Sequence, residues 1–596
     1  MQRTARRFGW VGVARAVGCH GADHLDRSDR DVDTWARDVR ARGLSAGEAG
    51  GVIRMGDVIS GELVLTLGLG SAIALPVTAV LLVLFKRAVI RGMHSRAGGP
   101  DATPVTAAPR GPRPPRVEPK GTFREANSSL IRTLAAYLLA TVAFITTMAL
   151  AQIVAGGYLL TWRSLVLVGS WYTLPLVFVL LSVLPRGSLR LASLGVYAAL
   201  MALVLTMVAI VSPDDVLGVL GIWGRSAIYG LLLVPFATRR LRAAGPLVLV
   251  FAVVGVAGAN ALYSLSGGFM LGVGEAAVGF WSNVTGGVAP VSFLGWAVLL
   301  AFDLVGGLIG IVVGRFVLMI INNRYRRKRF SDQALFVDTV FVWFAVLEAA
   351  RLSALGAEWL LAGLVAFLAY KVVAKVGLAF VSKAPPHGHR DLLLLRPFSL
   401  GRRSERLFDN MSKVWLRGGP VHMIAGPDLV VSTVAPTEFL AFLSGRMRRL
   451  FISDEAGLAD HLANLDVSPD PDGRYRVNQL FCSDDVWQGA MRALAARCDV
   501  ILMDLRGLTA ANQGCLYELE VLIRGVALRR VHFAVDATTD RTFLDSAVAS
   551  LWEQLPADAP NRPYGGIASR IIWVDDKPKS REQLLEVLMR PLAPAS

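Results

Sequence analysis

Cys498-Asp-Val-Ile-Leu-Met-Asp504-Leu-Arg506-Gly507, with its continuation Asn512-Gln-Gly514-Cys515-Leu-Tyr517-Glu518-Leu519-Glu520, decides the fold of the C-terminal half. An unbroken apolar run bounded by Asp499 and Asp504 reads as a strand buried on both faces, and Gly507 ends it. The apolar spacing of Leu516, Leu519, Leu522 and Ile523 then reads as a helix over Gly514–Gly525. The alternation continues outward in both directions. Strand-like runs fall at Asp391–Phe398, Val421–Ala425, Arg476–Cys482, Arg530–Val535 and Arg570–Val574. Helical runs fall near Glu405–Leu416, Thr437–Arg448, Asp485–Arg497, Thr542–Leu555 and Arg581–Met589. Strands alternating with helices of this length predict a parallel sheet covered on both faces. Residues 384–596 are therefore expected to form one soluble, doubly wound α/β domain, with Asp454–Asp472 as an exposed excursion.

The preceding residues are of another kind. The whole chain of 596 residues is 54% hydrophobic and 18% charged, well short of the quarter charged that is usual for soluble domains. Apolar runs long enough to cross a bilayer begin at Leu63–Phe85, which carries no charge. Others follow at Leu134–Ala155, Leu165–Leu184, Leu191–Val211, Val216–Ala237, Pro246–Leu265, Val291–Val313, Ala334–Leu355 and Leu360–Val381. The expectation is an α-helical polytopic membrane domain of about nine spans. Residues 55–93 hold the first span, 94–130 a Pro- and Arg-rich cytoplasmic linker, and 131–383 an eight-helix bundle. Residues 1–54 carry ten Arg and no apolar stretch, and read as a disordered tail or an over-long start ahead of Met55.

Charge orients the chain. From Ala384 onward there are 25 basic and 26 acidic residues; before it there are 37 and 20. The basic excess belongs to the apolar half and gathers in alternate loops, such as Arg239/Arg240/Arg242 and Arg324–Arg329. That pattern places the linker and the C-terminal domain in the cytoplasm and the N-terminus outside. It argues for a lipid bilayer as partner and against nucleic acid. The Ala/Arg/Gly/Val-rich usage resembles that of GC-rich actinobacteria, hence a bacterial inner membrane. Four Cys show no C-x-x-C pair, so neither a disulfide scaffold nor a zinc site is expected. There is no G-x-x-x-x-G-K-[ST] loop, no H-E-x-x-H and no G-x-S-x-G. That excludes a Walker ATPase, a zincin and an α/β-hydrolase. His387 and His389 follow a Pro-Pro junction and read as linker, so no metal is expected.

Candidate functional residues follow from placement. A parallel sheet binds ligands at the carboxyl ends of its strands. The first strand ends in Arg396-Pro-Phe398, a cation for phosphate and an aromatic for a base or nicotinamide ring. The later strand delivers Asp504 and Arg506 to the same edge, and Glu518 arrives on the opening turns of the next helix. In the membrane half, Asp303 is the acidic group nearest the middle of a span. Gly306, Gly310 and Gly314 form a face for close helix packing. Glu348 and Arg351 can pair, and Lys371 and Lys375 can reach headgroups.

The strand, small-residue turn and Gly514-Cys515-Leu-Tyr517-Glu518-Leu519 resemble Toll/interleukin-receptor (TIR) domains and related Rossmannoid folds. The Arg396-Pro-Phe398 strand end and the helix with Trp487-Gln-Gly-Ala-Met491-Arg-Ala-Leu494 resemble segments of bacterial multi-span proteins. The likeness covers roughly residues 390–535. It implies a flavodoxin/TIR-like fold, with Glu518 at the position of the glutamate that cleaves NAD in enzymatic TIR domains. Nucleoside deoxyribosyltransferase-like folds place a Glu similarly, so the resemblance does not fix a reaction. Four readings stay open. The chain tethers a TIR-like nucleotide-binding or signalling domain to the membrane, it is an NAD glycohydrolase-type enzyme, its tail regulates a transporter, or the C-terminal domain is purely a protein-interaction module. NAD or another nucleotide is the cofactor or ligand expected, and association of copies through the membrane helices or the TIR-like domain is a further expectation.

Overall fold

Continuous apolar sequence forms helices whose lipid side stays uncovered. In the computed structural model of the protein, the described residues are 46–94, 123–185, 187–211, 213–259, 291–382, 389–398, 401–557, 559, 561–575 and 578–590. Expectations for residues 1–45, most of the linker and the loop 266–290 lie outside them. Helices run over Ala46–Met93, Phe123–Ala155, Gly187–Val211, Val291–Arg326 and Leu360–Ser382, each with a stretch long and apolar enough to cross a membrane. Their outer faces are bare of protein: Leu191 is 74% and Ile210 77% exposed. Apolar surface on this scale is costly in water and suited to hydrocarbon.

Among the described residues, fewer than the nine expected helices have the length and composition of a span. Five helices meet the length and composition of a span, or six if the pair Trp162–Trp171 and Leu174–Val183, bent by 62°, counts as one. The expected span Val216–Ala237 is a 16-residue helix, Val216–Leu231, followed by a 3-10 turn at Val234–Ala237 containing Pro235. Such a helix reaches about 24 Å, short of a bilayer core. The run Pro246–Leu265 is a helix over Gly245–Ala259 among the described residues. The run Ala334–Leu355 is the helix Asp332–Leu352, which is buried along most of its length. Composition cannot separate a helix covered by lipid from one covered by other helices.

The buried helix organises the bundle. The Phe341 ring stacks on Tyr370 at 3.9 Å, Phe144 meets Phe341 edge-on at 5.1 Å, and the Trp343 indole donates to Ser71 Oγ at 3.0 Å. Its charges are paired: Glu348 accepts from Arg351 at 2.9 Å and from Ser226 at 3.2 Å. Lys371 donates to Asp338 at 2.6 Å, which also accepts from Tyr370 at 3.0 Å. Asp303 lies on the helix Val291–Arg326, with its side chain outside the described residues.

On that same helix, Gly306, Gly310 and Gly314 face the helix Gly245–Ala259. A Cβ on Gly310 would lie 2.7 Å from the Val254 carbonyl oxygen, and one on Gly314 would lie 2.9 Å from the Phe251 ring. Gly258 presses on Gly306 in return. Gly310→Leu should therefore part the two helices and cost about 3 kcal/mol. Thermal unfolding in detergent checks this; an unchanged midpoint would mean the contact contributes nothing.

The C-terminal residues form a seven-stranded, all-parallel sheet: β1 Leu392–Leu395, β2 Val421–Ile424, β3 Phe451–Ile452, β4 Val477–Cys482, β5 Val500–Asp504, β6 Val531–Val535 and β7 Ile571–Trp573. The order is β3-β4-β2-β1-β5-β6-β7. Leu392 aligns with Val421 on one side and Val500 on the other, so β1 is central. Period-two side-chain alternation divides its run between two cores. Leu393 and Leu395 pack with Met491, Leu519 and Phe533, while Leu392 and Leu394 pack with Phe408, Met411 and Leu585. Both faces are covered, which is why the strands read as solid apolar runs.

Asp454–Asp472 is exposed over much of its length but is not a free excursion. Its first part is a helix, Glu455–Ala463, and its end is buried: Asp470 is 3% and Asp472 1% exposed. Asp472 accepts from Ser331 at 2.5 Å, and its carbonyl oxygen accepts from Thr133 at 3.1 Å. Arg417 donates to Thr133 at 2.9 Å and Arg474 to Asp332 at 3.1 Å. Polar residues that look solvated in sequence here join the sheet domain to the helix ends.

Candidate functional site

The chain places β2 on one side of β1 and later returns to β1's other side with β5, so the strand order reverses beside β1. Crevices open at such a switch point, beyond the carboxyl ends of the strands. A cavity of about 370 Å³ lies there. Arg396–Phe398 after β1, Ile424 of β2 and Cys482–Asp484 after β4 line it, with Trp487 and Ala511–Cys515 leading to Glu518.

Glu518 sits in the second turn of the helix Gln513–Gly525. It is 8% exposed, and its Oε2 has no hydrogen-bond partner. Burial raises its pKa to about 8, with Arg396 pulling the other way. At neutral pH the group is therefore mostly the neutral acid, which can donate one hydrogen bond into the cavity. The helix N-terminus, with Gly514 and Cys515, forms the adjoining wall, where backbone N–H groups favour an anion. Trp487 packs edge-on against Tyr517 at 5.5 Å and supplies an aromatic face.

The other expected residues are placed differently. Arg396 lines the cavity, but its guanidinium is held by Asp428 in a two-point pair, 2.9 and 3.0 Å, with both side chains buried. It also lies 5.4 Å from the Phe398 ring centre. Phe398 is 42% exposed at the rim. Asp504 and Arg506 do not line the cavity. They bind each other, with Arg506 Nε and Nη2 donating to Asp504 at 2.8 and 2.7 Å, and Arg506 also donates to the Arg403 carbonyl at 3.3 Å. Arg396, Asp504 and Glu518 nevertheless converge around Cys515. Burial pushes that thiol far up, Glu518 and Asp504 push it further, and Arg396 opposes them.

Sequence reading did not single out Asp428, Asp484 or Met93. Asp428 follows a Gly-Pro turn and looks like an ordinary turn residue. Met93 comes from a distant segment with no local signal at all. No family model matches the chain, and no curated protein or solved structure does either. The class is thus defined by architecture alone: a bundle with several apolar helices able to cross a membrane, joined to a parallel α/β sheet domain.

Proposed function

We propose that this chain holds a TIR-like, nucleotide-binding or signalling domain against the cytoplasmic face of a bacterial inner membrane, with its N-terminus outside. One observation carries the ligand half of this reading: a buried carboxyl with an unpartnered oxygen, that of Glu518, belongs to a residue that lines a cavity walled by an aromatic and a helix N-terminus. At about 370 Å³ the cavity is at the small end of ligand sites and suits one nucleoside unit better than a whole dinucleotide. The neutral Glu518 would donate to a ribose hydroxyl oxygen, the N–H groups near Gly514 would meet phosphate, and Trp487 would cover the base.

Equilibrium binding of ADP-ribose to the full-length chain in nanodiscs tests it. Affinity should fall as pH rises through about 8 and Glu518 loses the donated proton. Glu518→Gln keeps a donor and should bind without that pH dependence. Absence of binding at any pH would end the reading. A second reading, NAD cleavage, is favoured by Glu518 and Trp487 lining one cavity. It requires the carboxylate to stabilise a cationic ribose, so turnover would rise with pH over the same range and Glu518→Gln would abolish it. The orientation rests on loop charge. A reporter fused after Ser596 should read cytoplasm and one within residues 266–290 should read outside; both on one side would refute it.

A further inference from the structure

The cavity at Glu518 has a wall that the sheet domain does not supply. Met93, at the end of the helix Ala46–Met93, lines it together with Asp484, Trp487 and Cys515. The helix end is held by contacts on both its backbone and its side chains. The Asp484 N–H donates to the Met93 carbonyl at 3.3 Å, and His94 Nδ1 lies 3.2 Å from Asp484 Oδ2. Gly92 is pressed against the Phe451 ring with no room for a Cβ. One stretch earlier, Phe85 meets Phe442 and Phe439 edge-on at 5.6 and 6.5 Å. The His94–Asp484 pair is mostly exposed and holds little on its own. The aromatic packing and the fit of Gly92 against Phe451 hold the helix end against the sheet domain.

We propose that the cavity is a composite site, closed on one side by the cytosolic end of the first membrane helix, so that displacement of this helix opens the cavity. This rests on the cavity being the ligand site. The helix is one element from Ala46 to Met93 with Pro76 inside it, and from Pro76 to Met93 it runs unbroken, so a movement of this half reaches Met93 without a loop to absorb it. An unbranched, flexible methionine suits a wall that must repack as the helix shifts. By linkage, a ligand that favours the closed cavity also holds the helix in place.

The cavity contains its own reporter, Cys515. Its alkylation by N-ethylmaleimide can be followed in the full-length chain in nanodiscs by peptide-resolved mass spectrometry, apart from Cys19, Cys482 and Cys498. Met93→Ala, which removes the wall, should speed modification of Cys515 about fivefold or more, because access is then no longer limited by local opening. Gly92→Leu, which pushes the helix end off Phe451, should do the same. Met93→Trp should slow it. Unchanged rates in Met93→Ala would overturn the proposal whatever Gly92→Leu does. ADP-ribose protection of Cys515 in the unaltered chain reports separately on the ligand. Protection with unchanged variant rates would sink the composite wall and keep the nucleotide reading. Shifted rates without protection would do the reverse.

Discussion

Glu518→Gln is expected to stabilise the folded chain by about 3 kcal/mol at pH 7. The carboxyl has an ordinary pKa of 4.5 when exposed and about 8 in the folded domain, where burial disfavours its charge. Between those values the folded protein keeps a proton that the unfolded chain has released. The folded state therefore binds more protons, and its stability falls as pH rises, by about 1.4 kcal/mol per unit for this group. Glutamine cannot ionise, so the variant escapes the penalty. Its advantage should be near zero at pH 4.5, grow through pH 7 and level off above 8. Thermal midpoints of the two proteins in detergent at pH 5 and pH 7 decide it. An equal difference at both values would show that ionisation is not what burial penalises here. A residue that costs its protein stability is the kind retained for a function rather than for the fold.

Asp504→Ala should act in the opposite direction and cost about 3–5 kcal/mol. Asp504 is fully buried and Arg506 nearly so, and the substitution removes both charge-assisted bonds from the guanidinium while leaving its charge in the interior. It also removes the carboxylate that accepts from the Arg506 backbone N–H at 3.1 Å, where the chain leaves β5. Adding Arg506→Met to the same chain should recover much of the loss, because the uncompensated charge goes with it. If Asp504→Ala instead left the midpoint unchanged and abolished ADP-ribose binding, the pair would belong to the ligand rather than to the turn.

The two carboxylates show how far residue type can be read. Both stand near the carboxyl edge of the sheet. Arg506, two residues after Asp504, can fold back and bind it, while Glu518 has no oppositely charged neighbour within four residues. That difference was legible, although its consequence was not. Arg396 is the converse case: its partner Asp428 lies across a strand crossover, and only the fold brings the two together. The expected phosphate-binding cation is therefore already engaged, and the helix N-terminus at Gly514 is left as the anion-favouring wall.

Apolar periodicity by itself determined that the chain divides near residue 384 into a helical, membrane-adapted half and a parallel α/β domain. Local composition fixes where backbone is buried on both faces or presented to lipid, and six of the seven strands follow from it. The two-residue β3 was too short to leave a pattern. Tertiary structure alone decided which helices lipid covers and which other helices cover, since a buried Leu and a lipid-facing Leu are the same letter. It also decided that the acidic segment ending at Asp472 docks on the helix ends, where Asp472 accepts from Ser331 and Thr133 and Arg474 donates to Asp332, while Arg476, donating at 2.7 and 2.9 Å, partly offsets the desolvation of Asp470. The joining of Met93 to Glu518 in one cavity is of the same kind. Cooperation between distant segments is set by packing, and packing depends on the whole chain at once.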